Sequence, residues 1–237
     1  MSSSVSFQAP RKLRVFAFDP TTGSRYVNRH VREMTISVPW ELDPVPREKS
    51  FFGPDGEYLQ IVDFDPASGV FYEPINLNDP EVLYNDGLKP SEENPRFHQQ
   101  MVYAVAMDTI AVFEQALGRV VLWAPREHDP AQPDLNRYVG KLRVYPHALR
   151  EANAFYDPVK KALLFGYFTA DQSSRSAMPE TTVFTCLSHD IIVHETCHAI
   201  LDGMLRLKLQ VQHPPPVGHR MSRWTDEAST SAARNVA

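Results

Sequence analysis

The residues best suited to chemistry are His194, Glu195 and His198, which form an HExxH motif inside the apolar run from Ile191 to Leu201. On a helix, residues i and i+4 lie on the same face, so both imidazoles can reach one metal ion. Glu195 lies about 100° around the helix from His194, where its carboxylate can accept a proton from water without binding the metal. Two imidazoles beside a general base predict a zinc-dependent hydrolytic site.

The segment around the motif predicts one helix over residues 188–203. Ser188 is a good N-cap, Gly203 is a suitable residue to follow the helix, and neither proline nor glycine interrupts the segment between them. The helix is expected to bury the faces of three aliphatic residues, Ile191, Val193 and Ile200. The alternative is an amphipathic helix whose two histidines only form hydrogen bonds within the core.

Composition excludes several classes of function. The chain of 237 residues is long enough to bury a sizeable core. A net charge of −5 and a pI near 6.0 give no electrostatic footprint for nucleic acid or for an anionic membrane. We find no apolar signal segment at the N-terminus and no apolar run long enough to span a bilayer, so the expected compartment is the cytoplasm.

The chain has two cysteines, Cys186 and Cys197, which cannot form a disulfide framework. Cys197 follows His194 by three residues and lies on a neighbouring face of the predicted helix. It either offers a thiolate to the metal or is a small packing residue next to the site. Cys186 is interpreted as a packing residue.

The predicted fold class is α+β, in four regions. Residues 1–10 are a disordered lead-in, 11–95 a mainly antiparallel β region, 96–204 a zincin-like sheet with helices, and 205–237 an irregular tail. In the β region, apolar and polar residues alternate in three segments bounded by turns, which predicts a small antiparallel sheet of strands near 13–18, 34–38 and 58–64.

The third region begins with a long helix, predicted over residues 96–117 and ended by Gly118. A proline-rich stretch, 73–96, precedes it and is read as an irregular connector. Strands are then predicted near residues 120–123, 142–145, 153–156 and 162–168. The last two resemble a hairpin, because a turn at Asp157-Pro158 separates them.

Together these features resemble the thermolysin-like, gluzincin class of zinc metallopeptidases over residues 96–203. The resemblance is carried by the long helix and three segments, Asn153-Ala154-Phe155-Tyr156, Phe165-Gly166 and His194-Glu195-x-x-His198-Ala199-x-x-Asp202-Gly203. It implies that the substrate backbone pairs with an edge strand through Asn153 and Ala154. The alternative for these two residues is an ordinary strand opening.

The third metal ligand separates the HExxH classes. A metzincin needs Gly and His at the positions that Leu201 and Met204 occupy, so that class is excluded. The gluzincin resemblance implies a Glu followed by Ala on a later helix, and Glu227-Ala228 is the nearest candidate. Glu227 is therefore the provisional third ligand, and its alternative is a solvated glutamate of the tail.

The tail loses apolar periodicity after Leu205 and contains three successive prolines. Ten residues after Glu227 are too few for a helical second lobe, so the ending is interpreted as truncated or frame-shifted. The alternative is a native ending, in which residues 206–237 fold back and bring Glu227 to His194 and His198. His213 or His219 is either a substitute ligand or proton donor, or a solvated side chain. Asp202 is either a hydrogen-bond partner supporting the site or a simple acid at the helix end.

The sequence thus predicts a zinc metallopeptidase-like hydrolase in which Glu195 moves the proton and a peptide or protein is the substrate. Neither nucleic acid nor membrane is an expected partner. One alternative is an inactive zincin-like remnant that acts as a binding module. The other is a metal-dependent hydrolase of a non-peptide substrate, because the motif fixes the water chemistry and leaves the substrate open.

Overall fold

The computed structural model describes residues 10–23, 32–41, 53–127, 137–170 and 180–212, with side chains to residue 205. These residues form both helices and strands, so the predicted α+β class is confirmed. Nearly all of the predicted lead-in lies outside the described residues, as do three residues of the predicted tail, His213, His219 and Glu227.

An antiparallel hairpin opens the fold. Strands β1 (Arg11–Phe16) and β2 (Glu33–Val38) pair with Leu13 opposite Ile36, and a short helix, α1 (Pro20–Gly23), follows β1. Leu13 and Ile36 are buried while alternate residues face outwards, as the period-two pattern predicts.

The prediction of a third strand in that antiparallel sheet was wrong. Strand β3 (Leu59–Ile61) instead lies parallel to β6 (Leu142–Leu149) in the central sheet. Two further short strands, β4 (Phe64–Asp65) and β5 (Val70–Phe71), form a separate antiparallel pair. Leu59 and Ile61 are fully buried in the hydrophobic core. Their burial favours the pairing of β3 with β6 in the central sheet.

The central sheet has the order β3-β6-β8-β7. Strand β8 (Ala162–Thr169) runs parallel to β6, whereas β7 (Ala154–Asp157) and β9 (Thr182–Phe184) pair with β8 antiparallel. The predicted β7-β8 hairpin is confirmed, and β7 lies at the end of the strand order.

The prediction of a strand at residues 120–123 was wrong, because this segment belongs to no strand. Side chains take the place of a neighbouring strand along it. Glu114 Oε1 accepts from the N–H of Val121, and Trp123 Nε1 donates to the carbonyl of Tyr58.

Helix α3 (Pro95–Leu117) confirms the predicted long helix. The Asn94 side chain accepts a hydrogen bond from the Arg96 N–H, and Gly118 closes the helix in the left-handed region at φ 65°. The preceding connector is less irregular than predicted, because it contains the short helix α2 (Pro80–Tyr84), capped by Asp79.

Helix α4 (His189–Gln212) carries the motif and follows a 3-10 turn at Thr185–Leu187. Its predicted end at Gly203 was wrong, and residues 205–212 are helical instead of irregular. A Cβ at Gly203 would lie 2.1 Å from the carbonyl oxygen of Leu122, so the glycine permits close packing and does not end the helix. Ser188 directly precedes the helix, and its carbonyl accepts the N–H of Ile192.

One hydrophobic cluster joins the hairpin, the central sheet, α3 and α4. On α4, Ile200 is fully buried, while Ile191 and Val193 are half-buried against this cluster. Within the described ranges, no helix is long and apolar enough to cross a membrane.

Candidate functional site

The two motif histidines face each other outside the core. Their Nε2 atoms lie 3.0 Å apart and their ring centroids 4.6 Å apart, with His194 exposed and His198 half-buried. Burial, and then the neighbouring His194, lower the pKa of His198, which favours its neutral, ligand form. The alternative of two histidines bonded within the core is wrong.

Glu195 is buried on the sheet side of the same helix, at 6% exposure. Its Oε2 accepts the backbone N–H of Tyr156, in strand β7, at 2.9 Å. Burial raises the pKa of Glu195 to about 7, and the Tyr156 N–H offsets part of this rise. A carboxylate whose pKa lies close to neutral pH suits general-base catalysis.

The outer edge of strand β7, on the side away from β8, faces the Glu195 carboxylate. Gly166 N–H donates to the Asn153 carbonyl, which makes Ala154 and Phe165 a pair that exchanges no hydrogen bonds. Ala154 and Tyr156 therefore direct their N–H and C=O groups away from β8. Gly166 itself is required here, because a Cβ would lie 2.7 Å from the Asn153 oxygen.

The two residues assigned to substrate binding thus differ in position. Ala154 is half-buried in β7 with its backbone polar groups outward, whereas Asn153 precedes the strand and turns its carbonyl towards β8. The Asn153 carbonyl also accepts the hydroxyl of Thr185 at 3.3 Å. An outward backbone contact with a substrate would accordingly fall on Ala154.

Asp202 lies inside the extended helix, so its interpretation as an acid at the helix end is wrong. Its Oδ2 accepts the Tyr156 hydroxyl at 2.9 Å and Lys161 Nζ at 2.8 Å. The Lys161 side chain is 2% exposed. Asp202 therefore fastens α4 to strand β7 and to the turn that follows it.

Cys197 is half-buried on α4, and burial raises the pKa of its thiol. A raised pKa favours the neutral thiol over the thiolate that binds metal, which supports the packing interpretation.

No described residue completes the motif as a third ligand. The part of the chain that the structure describes contains one group of three His, Cys, Asp or Glu ligand atoms within 4.8 Å of one another, and it excludes His194 and His198. The predicted ligand Glu227 and its substitutes His213 and His219 lie beyond the described residues.

That group consists of His98, His147 and Cys186, all buried, with Asp63 hydrogen-bonded to His147. Burial, and then His147, lower the pKa of His98 to about 3. Burial, and then Asp63, raise the pKa of the Cys186 thiol. Sequence reasoning missed the group because its three members come from three distant segments with no motif spacing.

Comparison with protein-family models, with curated proteins and with solved structures finds no match.

Proposed function

We propose that this protein is a zinc-dependent hydrolase that cleaves peptide bonds, similar to the thermolysin-like class. One observation carries the proposal: the Glu195 carboxylate lies against the backbone of an edge strand, on the helix whose two histidines face each other. A pair of metal ligands, a base and an edge for an added peptide strand would thereby be combined.

His194 and His198 would hold the zinc ion, with Glu227 as provisional third ligand. Two nitrogens bound to one tetrahedral zinc ion lie ~3.3 Å apart at Zn–N distances of ~2.0–2.1 Å. The separation of 3.0 Å between the two Nε2 atoms is close to that value. When bound, zinc supplies a Lewis acid that makes water acidic near neutral pH.

Glu195 would move the proton. Its Oε2 is held by the Tyr156 N–H, so the remaining carboxylate oxygen is available to take a proton from the attacking water. The raised pKa makes the protonated carboxyl a competent acid for the amine that leaves when the peptide bond breaks.

Strand β7 would bind the substrate. A peptide that runs along the outer edge of β7 can pair with the N–H and C=O of Ala154 as an added strand. Such a peptide would pass beside Glu195, which already contacts β7 at Tyr156. The second candidate function is peptide binding without cleavage, because the edge offers its backbone groups whether or not a metal is bound.

The decisive experiment compares zinc-loaded wild-type protein with Glu195→Gln on a mixture of fluorogenic peptides of random sequence. Loss of the base should reduce cleavage by roughly 10²–10⁴-fold and leave zinc content unchanged, because no ligand is lost. The matched control is Asp190→Asn, which removes an exposed carboxylate from the first turn of the same helix.

Three outcomes separate the candidates. Activity in Glu195→Gln equal to wild type would contradict the role of the base. Loss of zinc in that variant would make Glu195 a ligand. Zinc-loaded wild-type protein that binds the peptides but cleaves none would support the binding module instead.

A further inference from the structure

We propose that His98, His147 and Cys186 form a second metal site, a buried structural zinc centre separate from the HExxH motif. It rests on a different part of the fold and does not depend on the proposed hydrolysis.

The three ligand atoms converge from three elements. His98 lies in helix α3, His147 in strand β6, and Cys186 in the 3-10 turn before α4. His98 Nδ1 lies 2.8 Å from His147 Nε2, and both lie within 4.8 Å of the Cys186 sulfur. Two imidazoles and a thiolate bind zinc in preference to magnesium or calcium, which take oxygen ligands.

The other nitrogen of each imidazole already has an acceptor. His98 Nε2 lies 3.0 Å from the carbonyl oxygen of Glu92, and His147 Nδ1 lies 2.6 Å from Asp63 Oδ1. Gln99 Nε2 in turn donates to Asp63 Oδ2 at 2.8 Å. Metal-bound histidines are oriented by such bonds to carboxylates and backbone carbonyls.

These outer hydrogen bonds determine what lies between the rings. If both outer nitrogens donate, the two inner nitrogens direct lone pairs at each other across 2.8 Å. Such an arrangement requires a positive charge between them, either a shared proton or a metal ion. The Cys186 sulfur at the same point favours the metal, because a thiolate is a strong zinc ligand and a poor buried anion.

The charges also balance. A zinc ion carries two positive charges, and the Asp63 carboxylate and the Cys186 thiolate carry two negative ones. Asp63 is 1% exposed and Cys186 is fully buried, so this neutrality matters in a site removed from water.

An aromatic side chain closes the site. Phe184 packs on both imidazoles, with its ring centroid 4.7 Å from that of His98 and 5.5 Å from that of His147. Phe184 and Glu92 also line a surface depression of about 640 Å³, so the Phe184 ring lies between that depression and the imidazoles. All three ligand side chains are buried, which suits a structural role, and a fourth donor would complete the tetrahedral coordination of zinc.

The location suggests what the ion would stabilise. Cys186 lies eight residues before His194, directly ahead of the motif helix. An ion held by Cys186, α3 and β6 would fix the start of α4 against the sheet. The motif histidines and Glu195 would then be positioned in part by this second ion.

The first test removes the two histidines of the HExxH motif, so that only the buried site can bind metal. His194→Ala/His198→Ala protein, expressed with zinc and without a polyhistidine tag, should retain about one zinc ion per chain. Chelation should lower the Tm of this variant, because the ion binds only the folded protein. Retention of less than about a tenth of an ion would overturn the proposal and leave a proton-linked histidine pair.

Cobalt identifies the ligands. In the same background, Co²⁺ should give a thiolate-to-metal charge-transfer band, because the buried site has a sulfur ligand. The chain has two cysteines, so persistence of the band after Cys197→Ser assigns it to Cys186 without disturbing the core. Loss of the band in that variant, or no band before it, would overturn the proposal. Cys186→Ser should remove the band.

Discussion

Tyr156 donates its backbone N–H to Glu195 Oε2 at 2.9 Å, and its hydroxyl donates to Asp202 Oδ2 at 2.9 Å. Glu195 and Asp202 are seven residues apart, two turns along the same face of α4. A single strand residue therefore aligns the motif helix with the sheet edge. The backbone N–H contact holds the proposed base, Glu195, and the hydroxyl contact with Asp202 holds the helix itself.

The contact between the Tyr156 hydroxyl and Asp202 predicts which of two variants is the less stable. Tyr156→Phe loses one hydrogen bond to Asp202 and should lower the free energy of unfolding by about 0.5–1.5 kcal/mol. Asp202→Asn also weakens the ion pair with the buried Lys161 ammonium, so its cost should be larger, about 1–3 kcal/mol. Urea denaturation measures both. An Asp202→Asn cost no greater than that of Tyr156→Phe would contradict this ordering.

The outer edge of β7 predicts a separation of binding from folding. Ala154→Pro removes an N–H that points away from β8, so the β7-β8 ladder should survive. If a peptide accepts that N–H, kcat/KM should fall roughly three- to tenfold, the equivalent of one hydrogen bond. The control Ala154→Ser keeps the N–H and should cleave like wild type. Equal kcat/KM for both variants would exclude the contact.

Gly203 provides a test of the helix extension. A glycine-to-alanine change inside an ordinary helix stabilises it by roughly 1 kcal/mol. Here the new Cβ would lie 2.1 Å from the Leu122 carbonyl oxygen, so Gly203→Ala should destabilise the protein instead, by about 1–3 kcal/mol. Thermal unfolding gives the sign. A stabilised variant would show that α4 does not pack closely against the 120–123 segment.

The sequence was sufficient for elements that are determined locally. Helix α3 was predicted within one residue at its start and correctly at its end, because Gly118 in the left-handed region stops it. The β7-β8 hairpin followed from its turn and from two apolar runs. The motif spacing likewise placed His194 and His198 on one helix face.

Elements that depend on distant partners were not predictable. Gly203 has the pattern of a helix end, but Leu122 packs against it and the helix continues. Strand β3 has the alternation of a half-buried antiparallel strand, yet it joins β6 from another part of the chain. The His98 and His147 pair has no sequence signature, because 49 residues separate the two rings.

Asp65 predicts a pH dependence of stability. Burial alone would raise the pKa of this carboxyl, but hydrogen bonds from the Ser68 hydroxyl, the Tyr167 hydroxyl, and the N–H groups of Ala67 and Ser68 lower it overall. Since the folded pKa lies below the unfolded value of about 3.9, the charged form stabilises the fold. The contribution is complete above that unfolded pKa and is lost as pH falls below it.

Asp65→Asn should therefore lower the free energy of unfolding by about 1–3 kcal/mol at neutral pH. The difference from wild type should begin to shrink below about pH 4, where the unfolded carboxyl becomes protonated, and should vanish only at the lower pH at which the folded wild-type carboxyl is protonated as well. Urea denaturation at several pH values measures this, with Asp190→Asn as the exposed control and Tyr167→Phe as an intermediate that removes one donor. A difference that stays constant down to pH values well below ~4 would mean that packing, and not charge, makes Asp65 stabilising.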